Sequence, residues 1–142
     1  MNATNGQSAQ QIISDLVAAW NVHDAARVAS FYCKDYVGVD ISITEQQRGP
    51  EGVRLAAQHY LDVFPDLSIQ IEEMIISETQ AAVKVQVNGT QRGVIMNIPP
   101  TGCLVDVQGV AFVTFEDGKI KQASYLWDVA GLLRSIGLLP DL

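Results

Sequence analysis

Apolar side chains in the first part of the chain recur with the spacing of an α-helix. From Ser8 to Trp20 they repeat every three or four residues, which predicts an amphipathic helix with Ser8 as its N-cap. A second helix is predicted for the segment AARVASFY, because Asp24 before it is a good N-cap residue. The third follows the turn GPEG, where Pro50 suits a first helical turn, and it ends before Pro65. The pattern therefore predicts three helices ahead of Pro65.

After Pro65 the apolar period changes to two, which is typical of β-strands with one buried face. The predicted strands are Leu67–Ile71, Val83–Val87, Cys103–Phe115 and Ile120–Asp128, with a short edge strand at Tyr36–Asp40. The segment EDGK supplies hairpin turn residues between the last two long strands, and a short helix closes the chain. This order predicts a single α+β domain over residues 1–142, with three helices packed on one strongly curved, mostly antiparallel sheet.

The alternation of side chains also predicts which residues share a face of the sheet. We expect helices to cover the concave face, leaving a cavity that can hold an apolar ligand. Counting along the last strand places Gln122, Leu126 and Asp128 on the cavity side, and Gln91 is in phase with the Val83 strand. The opposite, convex face would then carry Ala123, Tyr125 and Trp127. Gln91, Gln122 and Asp128 are thus predicted to be the scattered polar groups of a small-molecule site.

One carboxylate, Asp128, lies inside the otherwise apolar stretch YLWDVAGLLRSIGLLP. Burying an ionised carboxylate without partners costs several kcal/mol or more, so this position calls for a reason. Asp128 could be the N-cap of the final helix, which would stabilise it by about 1 kcal/mol. It could instead be a reactive group in an apolar pocket, and the two roles can coexist.

Composition narrows the classes of partner. Apolar residues make up 48% of the chain and charged residues 18%, as in globular proteins, and the formal net charge is −7. A chain with no basic patch is not expected to bind nucleic acid or an anionic membrane. The segment MNATNGQSAQQ lacks the features of a secretory signal, which favours a cytoplasmic location. No cluster of His, Cys and acidic residues has the spacing of a metal site.

Several segments together resemble a known family: WNVHD, FPDLSI, NGTQRGVIMNIPPTG, FEDGKI and WDVAGLLRSIGLLP, in that order. The chain resembles the SnoaL-like polyketide cyclases, also called predicted ester cyclases, of the NTF2-like superfamily. The resemblance implies an α+β cone and an aldol-type ring closure of a polyketide without a metal or organic cofactor. It also implies that Asp128 is the general acid/base, since the family carries an aspartate near the end of the last strand. Apolar burial would raise the pKa of that carboxyl toward the working pH.

The sequence departs from this family at two positions. Gln91 stands where many members have the histidine of a GTH motif, and Leu126 stands where characterised cyclases have a second histidine. Donors to a substrate carbonyl are therefore expected from Gln91, Gln122, Tyr125 or Tyr60. Trp20 is expected to pack in the core or to line the wall around a ring-shaped ligand.

Asp40 is a second candidate for the catalytic aspartate. It lies where ketosteroid isomerases, another NTF2-like branch, carry a proton-abstracting aspartate, but the stretch GVAFVTF lacks the second acid of that site. We therefore expect Asp40 to be a carboxylate at a strand end or at the rim of the pocket.

Three functions remain open: a cofactor-independent cyclase acting on a carbonyl compound, a related hydroxylase or isomerase on the same scaffold, and a non-catalytic binding module. The convex face of the sheet is also predicted to be apolar, with Leu104, Val110 and Phe112 on it. An exposed apolar face of that extent usually marks an interface, so we predict a homodimer formed sheet to sheet.

Overall fold

The computed structural model of the chain describes residues 6–142, with side chains described from Ala9 onward. Its helices and strands follow in the order α1 (Gly6–Asn21), α2 (Ala25–Ala29), β1 (Tyr32–Asp40), β2 (Glu45–Arg48), α3 (Gly49–Val63), β3 (Ser68–Ile76), β4 (Gln80–Thr90), β5 (Leu104–Glu116), β6 (Lys119–Trp127) and α4 (Val129–Ser135). None of these helices is long and apolar enough to cross a membrane.

The strands form one six-stranded sheet in the order β2-β1-β6-β5-β4-β3. Neighbouring strands are antiparallel except β1 and β6, which run parallel. α1 and α3 lie over the inner face, where their apolar residues join those of the sheet in one buried core. The predicted α+β architecture, with helices on one curved and mostly antiparallel sheet, is confirmed.

Several boundaries differ from the predictions. β3 continues to Ile76 instead of ending at Ile71, and β4 spans Gln80–Thr90 instead of Val83–Val87. α1 begins at Gly6, so Ser8 lies inside its first turn and is not its N-cap. α2 ends at Ala29, and Tyr32, predicted to be helical, begins β1. β1 is therefore nine residues long and lies inside the sheet, because β2 occupies the edge beside it. β2 has the sequence EQQR, which contains no apolar residue and so gives no alternating pattern.

The predicted face of β6 is wrong, because the strand contains one extra residue. Thr114 pairs with Gln122 and the next residue, Phe115, pairs with Ile120, so Lys121 has no partner on β5 and forms a β-bulge. Since side chains alternate with a period of two, the bulge exchanges the faces of all the residues that follow it. Ala123 is consequently buried on the inner face, and Leu126 is 50% exposed on the outer one.

The predicted face of β5 is correct, because no bulge interrupts its pairing with β4. Val105, Val107 and Val113 are buried, while Leu104 and Phe112 on the opposite face are 66% and 62% exposed. Phe112 of β5 pairs with Ala82 of β4, which in turn pairs with Ile75 of β3, and Ile75 is 64% exposed. On the other side of β5, Val110 pairs with Leu126 of β6. We call the apolar surface made by Ile75, Val110, Phe112 and Leu126 the outer patch.

Candidate active site

A cavity of about 250 Å³ lies between the two long helices and the inner face of the sheet. Its walls are mainly apolar and include Leu16 of α1, Ala57 of α3, and Val85 and Val107 of the sheet. Among the lining residues in the described part of the chain, Asp40 is the one with a charged side chain. The cavity therefore combines an apolar wall with a single carboxylate.

Asp40 ends β1 on the inner face of the sheet and is only 7% exposed. Its Oδ2 accepts a hydrogen bond of 2.8 Å from the indole Nε1 of Trp127, and its Oδ1 accepts one of 3.0 Å from the backbone N–H of Ser42. Each carboxylate oxygen thus has one neutral N–H donor. Within residues 6–142, no cationic side chain forms an ion pair with Asp40.

Ser42 also holds the loop after β1 against the end of β6. Its hydroxyl accepts a hydrogen bond of 2.8 Å from the backbone N–H of Trp127 and donates one of 3.1 Å to the backbone carbonyl of the same residue. Trp127 and Asp40 are therefore positioned by the same short loop. Their orientation does not depend on the indole hydrogen bond alone.

Tyr60 of α3 lines the cavity near Asp40. Burial raises the pKa of its hydroxyl, and the negative charges of Asp40 and Glu45 raise it further. Tyr60 therefore stays protonated and can donate a hydrogen bond at any physiological pH.

Three tyrosine hydroxyls meet beside the cavity. The hydroxyl of Tyr125 lies 3.2 Å from that of Tyr32 and 3.3 Å from that of Tyr36. Burial raises the pKa of all three, so each hydroxyl keeps its proton. Gly38 makes the arrangement possible, because a Cβ at that position would overlap the hydroxyl of Tyr36.

This tyrosine cluster, formed by Tyr32, Tyr36 and Tyr125, holds more protons than its own hydrogen bonds use. Three hydroxyls carry three protons, whereas two hydrogen bonds join them. One O–H is therefore free to donate to another group. Tyr32 and Tyr125 both line the cavity, so a ligand there could accept that hydrogen bond.

Asp128 lies outside the cavity wall. It is exposed, and its Oδ1 accepts a hydrogen bond of 2.8 Å from the backbone N–H of Gly131, which makes it the N-cap of α4. The N-cap interpretation of Asp128 is thus confirmed, and its expected place inside an apolar cavity is wrong. The Lys121 bulge is the reason, because it turns the residues that share a face with Asp128 outward.

Gln91 is fully buried, but it organises a loop instead of lining the cavity. Its Nε2 donates to the backbone carbonyls of Gly93 at 3.0 Å and Pro99 at 3.1 Å, and its Oε1 accepts from the backbone N–H and the hydroxyl of Thr101. These bonds hold together the loop between β4 and β5. The donor role expected for Gln91 therefore has no geometric support.

The other predicted site residues divide into two groups. The cavity brings together Trp20, Tyr60 and Asp40, although they come from three different elements. Gln122 is exposed on the outer face, and Leu126, although half-exposed there, also borders the cavity. Sequence reasoning gave no functional role to Ser42, Tyr32 or Tyr36, and it placed Tyr125 and Trp127 on the wrong face. The spacing Tyr36, Gly38, Asp40 was a usable signal, because residues two apart on a regular strand share a face. It does not extend to Tyr32, because the pairing of β1 with β6 is irregular between Tyr32 and Val37.

Residues 6–142 contain no group of three or more His, Cys, Asp or Glu side chains arranged to hold a metal ion. The polar residues at the cavity wall are Asp40, which supplies a carboxylate acceptor, the neutral donors Tyr32, Tyr60, Tyr125 and Trp127, and the amides Gln47, Asn88 and Gln108. Such a set can remove a proton from a bound molecule and donate hydrogen bonds to an oxygen atom of that molecule.

Three helices over a curved sheet with an apolar cavity between them define the ketosteroid isomerase-like class of fold. A Catenulispora acidiphila protein of that fold is similar, with a TM-score of 0.78 over 90% of this chain and 93% of that chain, at 14% identity. The SnoaL-like polyketide cyclase family matches residues 10–136. The chain therefore belongs to the SnoaL-like polyketide cyclase family, as the sequence motifs predicted.

Two solved structures are similar at a higher identity. AclR from Streptomyces galilaeus, a proposed hydroxylase, has a TM-score of 0.82 and 27% identity over 94% of this chain and 87% of that chain. TsrD from Streptomyces laurentii has a TM-score of 0.85 and 27% identity over 95% of this chain and 98% of that chain. No curated protein matches the sequence.

Proposed function

We propose that this protein is a cofactor-independent enzyme that removes a proton next to a carbonyl group of an apolar substrate, with Asp40 as the general base. The observation that supports this best is the buried carboxylate of Asp40, held by two neutral N–H donors inside an apolar cavity. A carboxylate whose surroundings exclude water and cations keeps lone pairs available for a substrate proton. Membership of a polyketide cyclase family supports a carbonyl compound as the substrate.

The chemical step moves one proton and one electron pair. Asp40 takes a proton from the carbon beside a carbonyl group, and the C–H electron pair moves into the carbonyl, giving an enolate. The enolate carbon then attacks a second carbonyl of the same molecule, forming a carbon–carbon bond and an alkoxide. The alkoxide recovers the proton from Asp40, so the base is regenerated and no other reactant is consumed.

The tyrosine cluster is the proposed donor to the enolate oxygen. Its free O–H can be directed at the cavity from Tyr125 or Tyr32, and Tyr60 is a further donor beside Asp40. Donors placed where negative charge develops lower the barrier of such a reaction. Tyr60 and Tyr125 were among the donors expected from the sequence, whereas the side chains of Gln91 and Gln122, the other two, lie elsewhere.

A pair of matched substitutions tests which aspartate is the base. The probe is the exchange of the α-protons of 2-tetralone, an apolar ketone, with deuterated water, followed by NMR. Asp40→Asn is expected to slow the protein-catalysed exchange at least about a hundredfold, because a positioned base contributes roughly that much or more. Asp128→Asn is expected to exchange at nearly the wild-type rate, since asparagine is also a good N-cap.

The resemblance to the family makes the opposite prediction, with Asp128 as the base. Loss of exchange in Asp128→Asn, with exchange retained in Asp40→Asn, would support that assignment and reject ours. No acceleration of exchange by the wild-type protein would also count against the proposal. Thermal unfolding of both variants is the control for folding.

Hydroxylation is the second candidate, because AclR, one of the more similar structures, is a proposed hydroxylase. The two candidates differ in what they consume. Once a substrate is found, uptake of dioxygen during its conversion would favour hydroxylation. A ring-closed product formed without dioxygen would favour the aldol reaction.

We also propose that two copies of the chain associate through the outer patch. Phe112 and Ile75 are more than half exposed there, and apolar side chains on adjacent strands make the surface continuous. Light scattering at micromolar concentration is expected to give about twice the chain mass of 15.4 kDa. Phe112→Asp should yield a monomer, whereas Leu55→Asp, at a leucine on α3 that is also more than half exposed, should remain dimeric. A monomeric wild-type protein would reject this assembly.

A further inference from the structure

We infer that the cavity also binds apolar amines in their protonated form, with Asp40 as the counter-ion. The proposal goes beyond the reaction above, because it requires binding and no turnover. It rests on three features of the cavity: an uncompensated negative charge, free acceptor capacity on that charge, and aromatic walls.

The charge of Asp40 has no cationic partner in the described part of the chain. The ion pairs there join Arg54 to Glu51, and Lys121 to Asp35 and Glu116, all at the surface. The cavity wall contains no Lys, Arg or His among its described residues. A carboxylate that is buried with neutral donors alone would be stabilised by a cation, because the attraction is stronger in a medium of low polarity than in water.

Asp40 can also accept further hydrogen bonds. Ser42 and Trp127 each use one lone-pair direction, and the hydroxyl of Tyr60 is a third donor beside the carboxylate. Each carboxylate oxygen offers about two directions, so a further donor can still be accepted. An ammonium group supplies the N–H donors that these positions accept. Charge-assisted hydrogen bonds of this kind are roughly twice as strong as neutral ones.

The aromatic side chains provide the third feature. Trp20, Tyr60 and Trp127 line the same cavity as Asp40. The faces of tryptophan and tyrosine rings attract cations, and they also give the apolar contact that the rest of such a ligand needs. The ammonium group of an apolar amine therefore matches Asp40, and its apolar part matches the cavity walls. An apolar carboxylate would instead place its negative charge beside that of Asp40.

Three probes of similar size separate charge from shape: 2-phenylethylamine, 2-phenylethanol and phenylacetate, at neutral pH. Binding can be followed by tryptophan fluorescence, because both tryptophans of the chain, Trp20 and Trp127, line the cavity. We expect the ammonium ion to bind at least about ten times more tightly than the alcohol, and phenylacetate to bind most weakly. The preference should persist at high salt, because buried charges are screened little.

Two variants that change the net charge equally provide the decisive comparison. Asp40→Asn should still bind 2-phenylethanol but should lose the preference for the amine. Asp128→Asn removes a carboxylate outside the cavity and should keep that preference. The proposal is overturned if the wild-type protein binds the amine no better than the alcohol, or if the preference survives in Asp40→Asn.

The outcome is separable from that of the proposed reaction. Amine preference without ketone exchange would leave the cavity as a cation-binding site and reject the enzyme proposal. Ketone exchange without amine preference would leave Asp40 as the base and reject the present inference.

Discussion

At a pH of about 11 the native protein is expected to show almost no tyrosinate absorbance, although exposed tyrosines ionise near pH 10. The chain contains four tyrosines, and burial raises the pKa of every one of them. In the tyrosine cluster each hydroxyl also lies beside another that would be charged if ionised. The ultraviolet signal of tyrosinate should therefore appear only when the protein unfolds.

The same protonation makes the folded state sensitive to alkali. Above about pH 10 the unfolded chain releases its tyrosine protons while the folded chain retains them, so stability is unaffected below that pH and falls above it. The loss is about 1.4 kcal/mol per pH unit for each tyrosine. At about pH 11 it could reach roughly 5 kcal/mol for all four, which is comparable with the whole stability of many domains.

Urea unfolding at a series of pH values, with absorbance recorded in parallel, measures both effects. Tyr36→Phe is the informative variant, because it removes one titrating group and one of the two hydrogen bonds of the cluster. It should reduce the steepness of the alkaline loss by about a quarter. Tyrosinate absorbance near pH 10 in a protein that is still folded would contradict the prediction.

A second large effect is expected from Gln91→Ala. The substitution leaves the carbonyls of Gly93 and Pro99 and the hydroxyl of Thr101 without their buried partner, and it creates a void in a fully buried position. Each lost hydrogen bond contributes roughly 0.5–1.5 kcal/mol, because Pro99 and Thr101 are exposed and water can replace the amide there, and the void left by the buried side chain adds to the loss. We expect the free energy of unfolding to fall by about 3 kcal/mol or more, with a decrease in Tm of roughly 10 °C.

Gln58→Ala is the matched control. Gln58 is an exposed glutamine of α3 whose amide donates to Asp62 at the surface, so its removal should change stability by less than about 0.5 kcal/mol. Similar losses in the two variants would show that Gln91 does not hold its loop. Thr101→Val should lose part of the stability that Gln91→Ala loses, and combining the two should cost less than the sum of their separate effects.

The sequence predicted the elements with a strong apolar period and missed those without one. α1, α3 and the strands β3 to β6 each have one face that is more buried than the other, so their periodicity reports burial directly. β2 is polar throughout, and its place beside β1 follows from pairing with another strand. The end of α2 was misjudged because apolar residues continue through Ser30 into Tyr32 although the backbone changes from helix to strand.

The composition of the candidate site was predictable in part. The residue types and positions of Trp20, Tyr60 and Asp40 predicted that they lie at the pocket. The tyrosine cluster was not predicted. Tyr125 contacts Tyr32 and Tyr36, which precede it in the chain by 93 and 89 residues. That proximity comes from the parallel pairing of β1 with β6, which no local pattern reveals.

The bulge at Lys121 has a consequence for comparing this chain with its relatives. The extra residue Lys121 determines which face of the sheet each residue from Gln122 to Trp127 occupies. Deletion of one residue at the bulge would turn Tyr125 and Trp127 outward without changing the chemistry of any other side chain. Two homologues could then share the tryptophan–aspartate pair in an alignment and yet present different groups to their substrates. A deletion of one position on β6 would therefore change the groups that face the cavity as much as a substitution would.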